Sequence, residues 1–457
     1  MPAIDAIFDH ITANEDSYVA RVMAYASHPS ISAQNVGIRD VAEMLVAHLK
    51  SLTFKADLIE SAGHPFVLGR KTVDPSKPTV LFYGHYDVQP PEPLEAWDSP
   101  PFEPALRDGR IWARGIGDNK GQHFAQLLAI EAHLKVTGTL PCNVIFLLEG
   151  EEEIGSPQIA DFVRDHADQL NADLVVTSDG TLHESGQPVI YFGVRGVASF
   201  DLVAKGAARD VHSGNFGGVV PNPIWTLVHL LATMKDADGT ITIEGIPEVA
   251  TPATNLEREA MARLPLDLPQ VMAELGFDTL DGPVARAYWD RLMFHPTLTI
   301  NGIHGGYDGP GSKTVLPNAA IAKCDIRLVE PLTPDHVFAR LEAHVARHAP
   351  DVEVIPHGGM LPSKTPMSSP FTKVLSEAVQ TARGTAPLMY PSMGGSLPEY
   401  VWTKILNKPS FVLPYANADQ ANHAPNENLE VVRFMDGIRT GAALLDGLGR
   451  YRPQPSE

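Results

Sequence analysis

The 457-residue sequence predicts an α/β protein: a mostly parallel sheet with helices on both faces, interrupted by an inserted α+β domain. Three observations carry that expectation. Between Thr79 and Thr177 short apolar runs alternate with segments of helical period, the order that builds a parallel sheet. From about Val194 the runs become strands with alternating faces, which suits an antiparallel sheet. A chain of this length also exceeds what one core sustains, so two domains are the default.

Residues 1–50 read as helical, with Val41, Met44, Leu45, His48 and Leu49 along one face. Ala56–Ile59, Phe66–Leu68 and Thr79–Tyr83 read as strands bounded by Gly and Pro, and Gly109–Ala113 as another. Phe124, Leu127, Leu128, Glu131 and Leu134 then recur at a helical period, followed by strand Asn143–Leu148, helix Gln158–Leu170 and strand Ala172–Thr177. In the insert, Ser199–Gly206, Thr240–Ile246, Pro296–Ile303 and Ala320–Val329 read as strands and Asp335–His348 as a helix. Pro370–Ala382 is expected helical and Ser410–Leu413 extended. A closing helix over Leu429–Leu448 turns Val432, Met435, Ile438 and Leu445 inward, before a frayed tail, YRPQPSE. The expected domains are 1–193 and 363–457 for the sheet domain and 194–362 for the insert.

Composition is that of a globular protein, with 20% charged residues and a net charge of -20 from 35 basic and 55 acidic residues. That excess of acid argues against nucleic acid or an anionic membrane as partner. The N-terminus carries acidic residues where a secretory signal needs a basic head, and no apolar run reaches membrane-spanning length, so a cytoplasmic location is expected. Cys142 and Cys324, the two cysteines, stand far apart near strands, which excludes a disulfide framework.

Polar residues gather where the strands end. In LFYGHYDVQP an apolar run stops at His85, and Asp87, two residues on, shares its face in an extended chain. A carboxylate beside an imidazole is the usual support of a metal-ligating histidine; a histidine capping a turn explains the stretch equally well. Asp118, Glu152, Glu153 and Asp179 fall at similar positions beyond predicted strands, the region where sites form in such sheets. Two divalent ions need an anionic bridge and separate terminal ligands. Asp118 supplies the bridge, His85 and Asp179 one ion's terminal ligands, and Glu153 and His423 the other's, and with a bridging hydroxide the charges nearly balance. Glu152 is then spare to take a proton from a bridging water, whose pKa metal binding lowers from 15.7 towards roughly 7. A solvated acidic run is the alternative for EGEEE, but this run directly follows an apolar strand.

GHYDVQP, RGIGDNKG, LEGEEEIGS, the SDG at 178–180, HSGNFGGVVPNP and NHAPNE, in this order, resemble the dinuclear zinc peptidases that include cytosolic nonspecific dipeptidase, carnosinase, aminoacylase, carboxypeptidase G and succinyl-diaminopimelate desuccinylase. The resemblance implies the same five metal ligands, with Glu152 as general base, Asp87 orienting His85, and a cis peptide after Asp118. It implies that the insert serves as a lid or dimerisation domain of a homodimer. His212 would then reach the scissile carbonyl of the other subunit, and Arg327, Thr314, Gly394, Gly395 and Ser396 would hold the substrate's carboxylate. Ser392-Met393 departs from the Arg-Glu pair that relatives tend to carry before the two glycines. His64, His123, His133, His166 and His229 read as surface or helix-face residues, and His304 stays open.

The expected function is therefore a metal-dependent dipeptidase acting on unmodified dipeptides, with two divalent ions per subunit, zinc first and manganese or cobalt as alternatives. An N-acyl-amino-acid amidohydrolase or desuccinylase is the alternative enzyme. A metal-binding scaffold without activity is the remote one, against which the spare Glu152 argues.

Overall fold

The computed structural model describes residues 3–278 and 288–452. The chain divides into two compact units: 1–192, 365–390 and 401–457 form the first, and 193–364 with 391–400 the second. The stretch 391–400, expected with the sheet domain, joins the second unit because its backbone is tied there. Met393 N donates to Gly193 O at 2.7 Å, and Arg195 N donates to Gly395 O at 3.1 Å.

The first unit is built on a sheet of eight strands in the order Lys55–Ile59, Phe66–Lys71, Asn143–Glu149, Thr79–His85, Leu174–Thr177, Ser410–Val412, Val189–Tyr191, Leu388–Tyr390. Its centre is parallel, and the antiparallel pairings lie towards the margins and at Val412 with Tyr191. Strand Thr79–His85 is apolar on both faces because both are covered. Val80 and Phe82 join the core made with helices Gly121–Thr137, Phe371–Arg383 and Val431–Arg450. On the opposite face Tyr83 lies 5.1 Å from the buried Trp402 ring, and Phe66 stacks on Phe162 at 3.9 Å. Helix Gly121–Thr137 is buried nearly all round, and Gly138, at φ 75°, closes it in the left-handed conformation that glycine adopts without cost.

In the second unit, strands Thr297–His304, Ala319–Leu328, Gly196–Lys205 and Glu353–Met360 pair antiparallel in that order. Ala198, Phe200, Leu202 and Ala204 point to a core shared with helices Pro223–Ala232 and Pro334–His348. Asp201, on the other face of the sheet, is covered by Lys323 and His357, each 3.0 Å away.

Several boundaries differ from expectation. The N-terminal 50 residues form helices Ala3–Ala13, Glu15–Ala26 and Ile38–Ser51, broken where Gly37 takes a φ of 69°. Thr240–Ile246 makes no strand, only an isolated bridge between Ile241 and Lys235. Its alternation holds for Ile241 and Ile243, which are buried between exposed neighbours, and breaks at Gly245, so that Ile246 is buried out of phase. The helix expected to reach Leu170 ends at Asp165, where the His166 ring turns back 2.9 Å from the carbonyl of Phe162. Leu429 belongs to the short strand Asn428–Glu430, so the last helix starts at Val431. Val432 in its first turn is 53% exposed, while Met435, Ile438 and Leu445 are buried as expected. The expected frayed tail lies outside the described residues from 453 onward.

Candidate metal centre

Three neighbouring parallel strands deliver most of the cluster. Thr79–His85 lies between Asn143–Glu149 and Leu174–Thr177, with His85 opposite Glu149 and Tyr83 opposite Thr177, so the first two strands end level and the third two residues earlier. His85 is the last residue of its strand, Glu152 and Glu153 open the short turn after the second, and Asp179 comes after the third. Asp118 comes from the tight turn Ile116–Lys120 ahead of the buried helix, and the Asp118–Asn119 peptide is cis. His423 sits in the loop after Ser410–Val412 with φ 58°, a left-handed conformation uncommon outside glycine and found disproportionately at functional sites.

These residues form two groups of potential ligands that share Asp118: His85, Asp118 and Asp179, and Asp118, Glu153 and His423, with the ligating atoms of each group within 4.8 Å of one another. The two oxygens of Asp118 divide between them. Oδ1 lies 3.1 Å from His85 Nε2, and Oδ2 lies 3.2 Å from His423 Nε2. His85 Nε2 is also 3.5 Å from Asp179, and His423 Nε2 is 3.1 Å from Glu153. His85 Nδ1 donates to the backbone oxygen of Asp87 at 3.1 Å and faces its carboxylate at 3.4 Å, which leaves Nε2 to bind the shared centre.

The electrostatics favour cations here. Among the described residues, the ion pairs of Asp87, Asp118, Glu153 and Asp179 are with His85 and His423 alone. Against the burial that would raise it, His423 and His85 hold the Asp118 carboxyl well below the usual carboxylate range. Asp118 and Glu153 push His423 up to about 10. His85 rises as well: burial opposes its charge, but Asp118, Asp179 and Asp87 outweigh that. Protons are thus drawn to the two ring nitrogens that would otherwise face cations, and the oxygen and imidazole donors fit two divalent ions. Glu152, in neither ligand group, has its carboxyl pushed well above the usual range, first by burial and further by Asp179, Asp118 and Glu153 against His85.

Residues not anticipated from sequence support the cluster. Gln89 donates to Glu153 Oε2 at 2.9 Å, Asn422 donates to Asp118 Oδ2 at 3.2 Å, and Asn119 donates to the carbonyl of Ser178. The Glu427 carboxylate accepts from the backbone of Gly117 and Asp118 at 2.9 and 3.0 Å. Gln89 lies within GHYDVQP, and Asn422 and Glu427 within NHAPNE, so membership of those motifs was the available signal. His123 and His133, expected at a surface or helix face, are buried: His123 Nδ1 sits 3.2 Å from Asn119 Oδ1, and His133 Nε2 sits 2.9 Å from the carbonyl of Ala442.

The remaining expected residues belong to the second unit. His212 and Thr314 are both exposed, with His212 Nε2 3.4 Å from Thr314 Oγ1. Arg327 Nη1 donates to Ser396 Oγ at 2.8 Å, and Arg195 Nε donates to the carbonyl of Gly394 at 2.8 Å. Gly395 joins them through the backbone of Arg195. His304 ends the edge strand in an exposed position.

The Cys-Gly metallodipeptidase dug1 of Schizosaccharomyces pombe is 30% identical over 99% of both chains. The human Beta-Ala-His dipeptidase is 29% identical over 96% of this chain and 92% of its own. Among solved structures, an M20 family metallo-carboxypeptidase from Sulfolobus solfataricus superposes with a TM-score of 0.88 at 33% identity, covering 94% of this chain and 99% of that one. The model of peptidase family M20/M25/M40 matches residues 81–447, a span that contains every ligand of the cluster, and the chain belongs to that family.

Proposed function

We propose that this protein is a dinuclear metallodipeptidase that hydrolyses unmodified dipeptides. The observation that carries the reading is the pair of ligand groups meeting at Asp118, with Glu152 beside them and free of either. Full-length similarity to two dipeptidases supports it. His85 and Asp179 would hold one ion, Glu153 and His423 the other, and Asp118 both. Zinc is the first choice for such a donor set, with manganese or cobalt admitted by the same ligands. Two bound ions would supply a water of lowered pKa and polarise the scissile carbonyl.

In this reading Glu152 takes a proton from the attacking water and passes it to the leaving amine, a role for which its place outside both ligand groups leaves it free. Asp87 keeps the His85 ring in the tautomer that offers Nε2. Arg327 with Ser396, Thr314 and the Gly394–Gly395 backbone recognises the substrate's carboxylate, a task for which a guanidinium fork is shaped. Asp179 and its acidic neighbours offer the charge a substrate ammonium requires.

His212 would act on the scissile carbonyl of a partner subunit in a homodimer. The exposed edge strand Thr297–His304, with Ile300 and Ile303 at 46% and 47% exposure, supports a self-associating second unit. No helix among the described residues is long and apolar enough to cross a membrane.

A panel of free, N-acylated and C-amidated dipeptides, tripeptides and N-acyl amino acids, assayed with each metal, tests the proposal. Free dipeptides should be cleaved best. N-acyl amino acids turned over as efficiently would transfer the assignment to an amidohydrolase.

A further inference from the structure

The Glu427 carboxylate is 1% exposed, yet among the described residues it makes no hydrogen bond to a potential ligand side chain. Each of its oxygens accepts two hydrogen bonds. Oε2 takes Arg114 Nη1 and Gly115 N, both at 2.8 Å, and Oε1 takes Gly117 N at 2.9 Å and Asp118 N at 3.0 Å. One buried anion thus gathers four donors from a stretch of five residues that ends at the shared ligand. The backbone adds to this, because Ala113 N donates to Glu427 O at 3.1 Å. Glu427 also belongs to the loop that carries His423, so a single side chain ties the turn bearing Asp118 to the loop bearing its histidine partner. The turn leaves little latitude: Gly115 sits at φ 80°, and a Cβ on Gly117 would lie 1.9 Å from Gln420 Oε1.

We propose that Glu427 is the positioning residue for Asp118, holding the Arg114–Asp118 stretch so that the two carboxylate oxygens of Asp118 face His85 and His423. This rests on the reading of the cluster as a two-metal centre. In that arrangement the centre is preformed: the turn is shaped by an anion on its far side before any cation arrives. Arg114 balances the anion, so Glu427 can stand beneath an acidic cluster without adding net charge to it.

Glu427→Gln is the direct test. Either orientation of the amide aims its NH2 at two N–H donors, so two hydrogen bonds are lost and two repulsions gained while shape is kept. Metal-free variant that is folded by circular dichroism should bind Zn2+ about 10- to 100-fold more weakly in competition with a chelator, the usual effect of removing a partner that orients a ligand, and kcat should fall more than KM rises. A folded variant with wild-type Zn2+ affinity overturns the proposal. Asp118→Asn, measured alongside, separates the two readings. If it too keeps wild-type affinity, the metal centre fails and takes the proposal with it; if it loses metal while Glu427→Gln does not, the positioning role alone fails. Should Glu427→Gln not fold, hydrogen exchange on the wild type decides. Amides of Gly115, Gly117 and Asp118 protected in chelator-treated protein uphold the proposal. Amides that exchange as an open loop until Zn2+ is added overturn it.

Discussion

The carboxylate of Asp87 accepts a hydrogen bond from the backbone N–H of Glu152 at 3.2 Å, and its other oxygen accepts from Glu153 N at 3.0 Å. Asp87 was expected only to orient His85. It also fixes the turn after the neighbouring strand, so the imidazole and the two glutamates are set by one fully buried side chain. The Glu152 side chain is left out of this bracing, and its backbone does not depend on its own charge.

Glu152→Gln should therefore preserve the centre and stop the chemistry. Metal content by elemental analysis should match wild type, and turnover should fall by about 10²–10⁴, the worth of a general base. Loss of metal would instead make Glu152 a ligand, and near-normal turnover would remove it from catalysis.

If His212 serves the other subunit, inactive variants should complement. His212→Ala and Glu152→Gln proteins, mixed under conditions that exchange subunits, should recover activity, since one site of each hybrid combines an intact base with an intact histidine. No recovery despite demonstrated exchange would confine His212 to its own subunit or exclude it from the reaction.

The candidate ligands His85, Glu153 and Asp179 could be picked out because they depend on local pattern: a strand is a short apolar run, and each of them stands at the end of one or just beyond. The contacts that hold them were not. Glu427 and Asp118 are 309 residues apart, and no periodicity reports a contact between two loops. Thr240–Ile246 shows a second limit. Ile241 and Ile243 alternate with exposed neighbours and are buried, but alternation tells which side chains go inside, not whether another strand lies alongside to complete a ladder. Val432 faces outward while Phe434, in the same first turn, is buried: at 3.6 residues per turn Val432 stands at the margin of the stripe that Met435, Ile438 and Leu445 share.

Both cysteines should be inert in the native protein. Burial pushes the Cys142 thiol up to about 12 and the Cys324 thiol likewise to about 12, so neither offers thiolate near neutral pH. A chromogenic disulfide reagent should titrate no thiol before denaturation and two after it. Rapid labelling of the native protein would contradict the burial of these strands.

Glu131 joins the buried helix to helix Glu15–Ala26 through a two-pronged contact with Arg21 at 2.7 and 3.0 Å. The His48 ring and this guanidinium hold its carboxyl down to about 2 against an ordinary 4.5. A depressed carboxylate pKa stabilises the fold at pH values above 4.5, and that contribution is lost as pH falls through 2. Solvent screens the pair, so Glu131→Gln should cost only about 1 kcal/mol at pH 7. The difference in urea midpoint should shrink as pH falls below about 4.5. A difference that grows below that pH would reverse the assigned sign.

The carboxylate end of the substrate can be tested through Arg327. Its Nη1 already donates to Ser396 Oγ at 2.8 Å and its Nε lies 3.3 Å from Asp325, so the guanidinium is held from two sides. The loop that carries Ser396 is anchored through Arg195, whose N donates to Met393 O and Gly395 O at 3.3 and 3.1 Å and whose Nε donates to Gly394 O. Ser392-Met393 therefore leaves the glycines and Ser396 in place, and the departure from relatives need not abolish carboxylate recognition. A charged hydrogen-bonded contact is worth about 1.5–3 kcal/mol, roughly ten- to a hundredfold or slightly more in kcat/KM. Amidating a good dipeptide substrate should cost the wild type about that much. Arg327→Lys keeps a charge but loses the planar fork, so it should weaken the free dipeptide while barely affecting the amide, and the penalty for amidation should shrink. A penalty of the same size in wild type and variant would mean that Arg327 does not read the carboxylate, whatever its effect on overall activity.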